Sequence, residues 1–255
     1  MSTRRQFLAS SAALGTITLL PYAAMAAGHA SDTFETANGS ITVHPIAHAS
    51  FVMETPSGTI YVDPVGDAAS YADMPAPDMI LITHEHGDHF NAETLAAIMG
   101  GTTVMLSNPA VFDKLSADMQ AKTTVIANGE EAMLADVGIE AIPAYNTTED
   151  RLNFHPKGRD NGYVVTIDGM RIYISGDTEG TSEMRALENI DVAFVCMNLP
   201  FTMDAKAAAE AVSEFAPTYV YPYHYRGRDN GTQDPAEFAQ MLTGAVEAKM
   251  GGWYG

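Results

Sequence analysis

Four side chains able to bind a metal ion, His84, His86, Asp88 and His89, fall within six consecutive residues of the run Thr83-His-Glu-His-Gly-Asp-His-Phe90. Imidazole nitrogen and carboxylate oxygen suit zinc and, less exclusively, iron or manganese. A catalytic centre needs such ligands to converge while one coordination position stays open for water. The preceding Met79-Ile-Leu-Ile82 is a short apolar stretch of buried-strand type, and the following Asn91-Ala-Glu-Thr-Leu-Ala-Ala-Ile-Met99 reads as a helix with Asn91 as N-cap. The ligands therefore belong to a strand-to-helix loop, where chemistry is usually displayed. On a regular strand His84 and His86 would share a face with Asp88 while His89 pointed away, so an irregular turn must bring all four inward.

A two-metal centre needs more ligands than one loop supplies, and they are expected at strand ends. Asp177 stands just past Arg171-Ile-Tyr-Ile-Ser-Gly176, with Gly176 permitting a close approach, although an aspartate there could instead cap a helix. His224 closes Tyr219-Val-Tyr-Pro-Tyr-His224, where a core or stacking histidine is the alternative. His155 lies in the polar loop Asn153-Phe-His-Pro-Lys-Gly158. Cys196, in the apolar run Val192-Ala-Phe-Val-Cys196, reads as a buried core thiol, and as the single cysteine it allows no intrachain disulfide.

The elements that must hold these residues alternate between strand-like and helical runs. Strand signals fall at 41–44, 50–54, 59–63, 79–82, 103–106, 124–127, 139–142, 162–167, 171–174, 192–195 and 219–221. Helical patterns cover 91–99, 109–119, 181–187, 204–215 and 234–250, the last with Asp234 as N-cap and Pro235 at the first helical position. The pattern predicts an α/β (α+β) domain over 41–255, with two mixed sheets flanked by helices, preceded by a flexible stretch over 27–40. Ser50 to Asp63 and Gly162 to Asp177 echo each other: each is an apolar strand, a glycine turn, and a strand ending at an aspartate. Two halves built alike would meet face to face, and a site at their seam could draw ligands from both.

Residues 1–26 carry Arg4 and Arg5, no acidic residue, a moderately apolar stretch, and Ala24-Met-Ala26, a small-x-small cleavage pattern. This resembles a twin-arginine export signal, which implies passage through the twin-arginine translocase and a periplasmic mature protein without stable membrane association. Removing those two arginines moves the formal net charge from −19 to −21. So acidic a chain fits nucleic acid or an anionic membrane poorly, because phosphate contacts need a basic face. A small-molecule substrate is the expected partner.

The chain resembles the metallo-β-lactamase fold superfamily, and within it the branch that contains ascorbate phosphate lactonase and other metal-dependent hydrolases. The resemblance is carried by His48-Ala-Ser-Phe51, Asp63-Pro64, the Thr83 to His89 run, Ala144-Tyr-Asn146, Phe154-His-Pro-Lys-Gly158, Gly176-Asp-Thr178 with Glu183-Met184, and Pro222-Tyr-His-Tyr225. It implies a four-layer αββα sandwich. It also implies one divalent ion on His84 and His86, a second on Asp88, His89 and His224, and Asp177 bridging, with zinc expected and manganese or iron as alternatives. The family's further histidine on the first ion is replaced here by Asn146, so Asn146 serves as a weak oxygen ligand, His155 reaches in as a substitute, or the first site is under-coordinated; His155 is favoured as the better zinc ligand.

Two such ions would lower the pKa of a shared water and polarise the scissile group, with Asp88 as the catalytic residue that orients the nucleophile. His48, Tyr145, Asn146 and Tyr225, together with Lys157 and Arg226, could bind substrate. Asp63 would support a ligand imidazole, and Glu85 would be a surface acid. The expected activity is hydrolysis of a small ester, lactone or related acyl substrate. Phosphodiester or β-lactam cleavage on the same centre remains open, as does a non-catalytic metal-binding module, because a fold does not fix a substrate.

Overall fold

A computed structural model describes residues 31–254. The expected export signal at 1–26 lies outside the described residues. Two seven-stranded sheets run in the orders β1-β2-β3-β4-β5-β6-β7 and β14-β13-β12-β11-β10-β9-β8. The first comprises β1 (Asp32–Thr36), β2 (Gly39–Ala47), β3 (Ser50–Thr55), β4 (Gly58–Val62), β5 (Met79–Ile82), β6 (Val104–Ser107) and β7 (Thr123–Val125). The second comprises β8 (Glu131–Leu134), β9 (Val137–Ala144), β10 (Asp160–Ile167), β11 (Met170–Ile174), β12 (Val192–Cys196), β13 (Tyr219–Tyr223) and β14 (Glu247–Ala248).

Each sheet opens with four antiparallel strands and closes with three that add in parallel. The echo in the sequence is therefore structural: the hairpin β3–β4, ending at Asp63, occupies the same place in its sheet as β10–β11, after which comes Asp177.

Alternation along the strands of the first sheet explains the layers. Phe51, Met53, Ile60, Val62, Met79 and Leu81 point into the core shared with the second sheet. Their neighbours Val52, Tyr61, Ile80 and Ile82 point the other way, against Leu95, Val111 and Leu115 of the outer layer. That layer contains α1 (Ala92–Ile98), capped by Asn91, and the short α2 (Pro109–Phe112) and α3 (Ala117–Gln120). Phe51 stacks on Phe194 with ring centroids 4.1 Å apart, joining the two sheets, while Tyr173 on the second sheet meets Phe215 edge-on at 5.7 Å. Phe215 ends α5 (Ala205–Phe215), which packs with α4 (Ser182–Arg185) and α6 (Pro235–Met241). The αββα sandwich is thus present.

Three local expectations fail. Residues 32–36 are not flexible but form the edge strand β1, because Phe34 packs on Tyr219 and Tyr221, and the Tyr221 hydroxyl donates to Asp32. The helix expected over 109–119 divides in two, since Ser116 caps a new start by accepting from the Met119 amide. The helix expected over 234–250 stops at Met241, and Glu247–Ala248 instead pairs in parallel with β13. A two-residue pairing of that kind leaves no periodic signal to read.

Candidate metal centre

The loop between β5 and α1 is bent by amide donation from His89 and Phe90 to the His86 carbonyl, which turns the ligands inward as the spacing required. His84 and His89 are fully buried, His86 is half-buried, and the Asp88 side chain keeps 47% of its exposure. From the second half come His155 on the β9–β10 loop, Asp177 after β11, and His224 after β13. At Gly176 φ is +58°, and a Cβ would lie 2.9 Å from the Asn161 carbonyl and 3.1 Å from Thr83 Cβ, so only glycine lets Asp177 reach the loop.

Donor atoms gather in three groups, each within 4.8 Å, the first two sharing His84: His84 with His86 and His155, His84 with His89 and Asp177, and Asp88 with His224 and His48. The two oxygens of Asp177 face different ways. Oδ2 lies 3.4 Å from His155 Nε2, and Oδ1 lies 3.3 Å from both His89 Nε2 and His224 Nε2.

A web of support sets which nitrogen each histidine presents. Asp63 accepts from the Thr83 amide at 2.7 Å and the Thr83 hydroxyl at 2.6 Å, and lies 2.8 Å from His89 Nδ1. Asp160 lies 3.1 Å from His155 Nδ1 and is itself held by Arg159 Nε at 2.6 Å. Thr83 Oγ1 sits 3.0 Å from His84 Nδ1, and the Asn198 amide 2.9 Å from His224 Nδ1. With Nδ1 of His84, His89 and His155 each facing an oxygen, the Nε2 atoms of these three histidines turn to the centre, which is how protein imidazoles are oriented toward a metal, and His224 Nε2 also faces Asp177.

Charge follows the same geometry. Burial, reinforced by His89, pushes His84 well below the ordinary histidine range, and burial with His155 lowers His86, so both are neutral and ready to donate a lone pair. Burial alone would lower His89, yet Asp177 and Asp63 outweigh it and hold His89 well above that range; His155 and His224 are raised by carboxylates against the same burial. Burial alone would raise Asp177, but His224 and His89 keep it well below the usual carboxylate range. His89 Nε2 and Asp177 Oδ1 are buried and carry no hydrogen bond. Buried polar atoms are normally satisfied, and a cation between donors of this chemistry satisfies both. The residues present therefore fit a divalent metal.

Other expected site residues fall differently. Asn146 is buried, and its Nδ2 donates to the Arg151 and Phe201 carbonyls at 3.0 and 2.6 Å, so it pins loops while His155 stands beside His84 and His86. Tyr145 is spent outside the centre: its hydroxyl donates to Glu183 at 2.8 Å and accepts from Lys157 at 3.0 Å. Tyr225 packs on Tyr254, as does the Arg226 guanidinium. His48 touches protein rather than open space, with Nε2 3.2 Å from Asp88 and Nδ1 2.7 Å from the Tyr254 hydroxyl. Glu85 pairs with Lys114 at 2.9 Å, and Cys196 is buried against Thr178.

A cavity of about 330 Å³ opens over the centre, lined by His86, Asp88, Phe154, His155, Asp177, Phe201 and Arg228. Arg228, Phe201, Asp160, Asn198 and Tyr254 were not foreseen. Of these only Asp160, following Arg159 near a candidate histidine, left a readable trace.

A β-lactamase superfamily domain profile matches residues 27–224. A UPF0173 metal-dependent hydrolase from Thermococcus kodakarensis is 33% identical over 175 residues, covering 67% of this chain and 76% of that protein. Its counterpart from Pyrococcus furiosus is 31% identical over the same shares. Among solved structures, one from Parabacteroides distasonis, named for the metal-dependent hydrolases, matches with a TM-score of 0.78 and 38% identity over 88% of this chain and 98% of that one. The described residues supply the clustered histidines and aspartates such a protein needs, and the chain belongs to the metallo-β-lactamase superfamily, as a metal-dependent hydrolase of its UPF0173 family.

Proposed function

We propose that the centre holds two divalent ions, zinc first and manganese or iron as alternatives, and hydrolyses a small ester, lactone or related acyl substrate. His84, His86 and His155 would hold one ion, Asp88, His89 and His224 the other, with Asp177 between them. The observation that carries this reading is the pair of buried atoms His89 Nε2 and Asp177 Oδ1, neither with a hydrogen bond, 3.3 Å apart and ringed by imidazoles. When bound, such ions bring a water's pKa toward neutrality and polarise the carbonyl under attack.

The chain's own groups do the rest. Asp88 orients the nucleophile: its carboxylate lines the cavity, and although burial would raise its pKa, His224 and His48 hold it ionised, so that it would accept a hydrogen bond from the attacking water. His48, anchored by Tyr254, fixes the orientation of that carboxylate. Asp63 and Asp160 hold His89 and His155 in the tautomer that presents Nε2. Phe154 and Phe201 exclude water from one wall.

The test is metal content of the purified protein, followed by turnover of a panel of esters, lactones, β-lactams and phosphodiesters before and after chelation. Ester or lactone turnover that chelation abolishes and zinc restores is expected; turnover confined to phosphodiesters or β-lactams would overturn the ester and lactone assignment. The site of action is proposed to be the periplasm, reached by the twin-arginine route, on the strength of Arg4, Arg5 and Ala24-Met-Ala26. Retention of an Arg4→Lys, Arg5→Lys double variant in the cytoplasmic fraction is the expected result, and unchanged export would refute it.

A further inference from the structure

The rim of the cavity carries a cation that the hydrolytic chemistry does not use. The Arg228 guanidinium lies 4.6 Å from the centre of the Phe201 ring, and Phe201 meets Phe154 edge-on at 5.2 Å. Arg151, Arg159, Arg171 and Arg185 each face a carboxylate, whereas Arg226 and Arg228 form no ion pair among the described residues; Arg226 lies on Tyr254, and of the two only Arg228 lines the cavity. In a chain of formal charge −19, an arginine left without an acidic partner at the mouth of the reaction cavity is an exception.

The backbone that carries it is also fixed. The loop that carries it is clamped to the segment that carries Phe201: the Leu199 amide donates to the Gly231 carbonyl at 3.0 Å, and the Arg228 amide donates to the Leu199 carbonyl at 3.1 Å. Gly227 and Gly231 press so closely on the Leu199 carbonyl that a Cβ on either would collide with it. Asn146 holds the other side of this segment through the Phe201 carbonyl at 2.6 Å. Floor and aromatic wall are therefore set in one fixed order, with the exposed Arg228 side chain rooted beside them over Phe201.

We propose that Arg228 is a specificity-determining residue, selecting substrates whose scissile acyl group is joined through an apolar body to an anionic group, carboxylate or phosphate. The anion would pair with the guanidinium fork, the apolar body would lie on Phe154 and Phe201, and the acyl group would reach Asp88 and the histidines below. A cavity of about 330 Å³ admits only a small molecule of this design. This substrate class rests on the hydrolase reading above.

Two matched 4-nitrophenyl esters of suberic acid, one with its far carboxylate free and one with it methylated, test the selection on the zinc-loaded protein. The free acid is expected to show the higher kcat/KM, and Arg228→Ala is expected to cut the ratio of the two by about 10- to 100-fold, chiefly through KM, as for a lost charged hydrogen bond. Arg228→Lys should recover part of that ratio. A wild type with no preference for the acid, or a ratio that survives Arg228→Ala, overturns the proposal.

Failure of the hydrolase reading would show differently, as no turnover of either ester. Calorimetric titration then decides. The wild type should bind 4-phenylbutanoate in preference to 4-phenylbutanamide, Arg228→Ala should lose that preference, and equal binding by the two proteins overturns the proposal. 3-Phenylpropylphosphonate in the same titration tells whether the rim favours phosphate over carboxylate.

Discussion

Asp63 and Asp177 stand at matching places in the two sheets, each just past the second strand of a corresponding hairpin, yet they do opposite work. Asp63 accepts from the amide and hydroxyl of Thr83 and faces His89 Nδ1, so its oxygens are committed to protein donors. Asp177 leaves Oδ1 without a hydrogen bond and turns its two oxygens toward different histidines. What separates a structural carboxylate from a candidate metal bridge is thus not position in the fold but how many protein donors have already claimed it.

The sharpest way to break the comparison is to remove each carboxylate. Asp177→Ala is expected to empty both metal positions and lower kcat/KM by about 10³-fold or more; elemental analysis that still finds two ions per chain would refute the bridging role. Next in size, His155→Ala should cost one ion and about 10²-fold in activity. Asn146→Ala should keep both ions and lose about 1–2 kcal/mol of stability through its two carbonyl contacts. A reversal of those two metal contents would move the ligand role to Asn146. Asp63→Asn should retain metal at saturation but weaken its affinity by about 10- to 100-fold, because His89 loses the partner that orients it.

Proton competition offers a gentler test. His89, His155 and His224 are raised above their ordinary value of 6.5 in the metal-free protein. The stability their charged forms lend is fully present below that value and is lost as pH rises through the raised pKa values. Metal needs the neutral imidazoles, so apparent zinc affinity should climb about tenfold per pH unit for each proton released, and the gap in Tm between loaded and metal-free protein should widen from pH 6 to pH 8. A gap that narrows contradicts the assignment. Smallest of all, Tyr145→Phe should change kcat/KM by less than about twofold, since its hydroxyl serves Glu183 and Lys157.

Residues that act through their own type and local spacing were legible in the sequence. The Thr83 to Phe90 run announces itself because four ligands share one loop, and α1 starts at the cap Asn91 that the sequence offers. The doubled hairpin was visible because each copy is a continuous strand-turn-strand segment. Phe201 and Arg228 were not legible, because their meeting depends on Leu199 docking between two glycines of a loop almost thirty residues away. Tyr145 and Tyr225 were expected near substrate because they flank candidate ligands, but a neighbour in sequence points elsewhere once the strand ends. Strands β1, β8 and β14 went unseen because their order comes from partners, such as Tyr221 for Phe34, rather than from their own pattern.

His48, Asp63 and His224 share one further trait: all three hold left-handed backbone, with φ of 54°, 45° and 47°. A side chain other than glycine or asparagine in that region costs about 1 kcal/mol or more. At Asp63 the buried bonds to Thr83 and His89 outweigh that cost, whereas selection for stability alone would replace His48 and His224. Descendants of this fold that no longer perform hydrolysis should therefore carry glycine or asparagine in place of His48 and His224 while keeping Asp63, and melt at higher temperature, so that loss of the reaction could be read from an alignment before any assay is run.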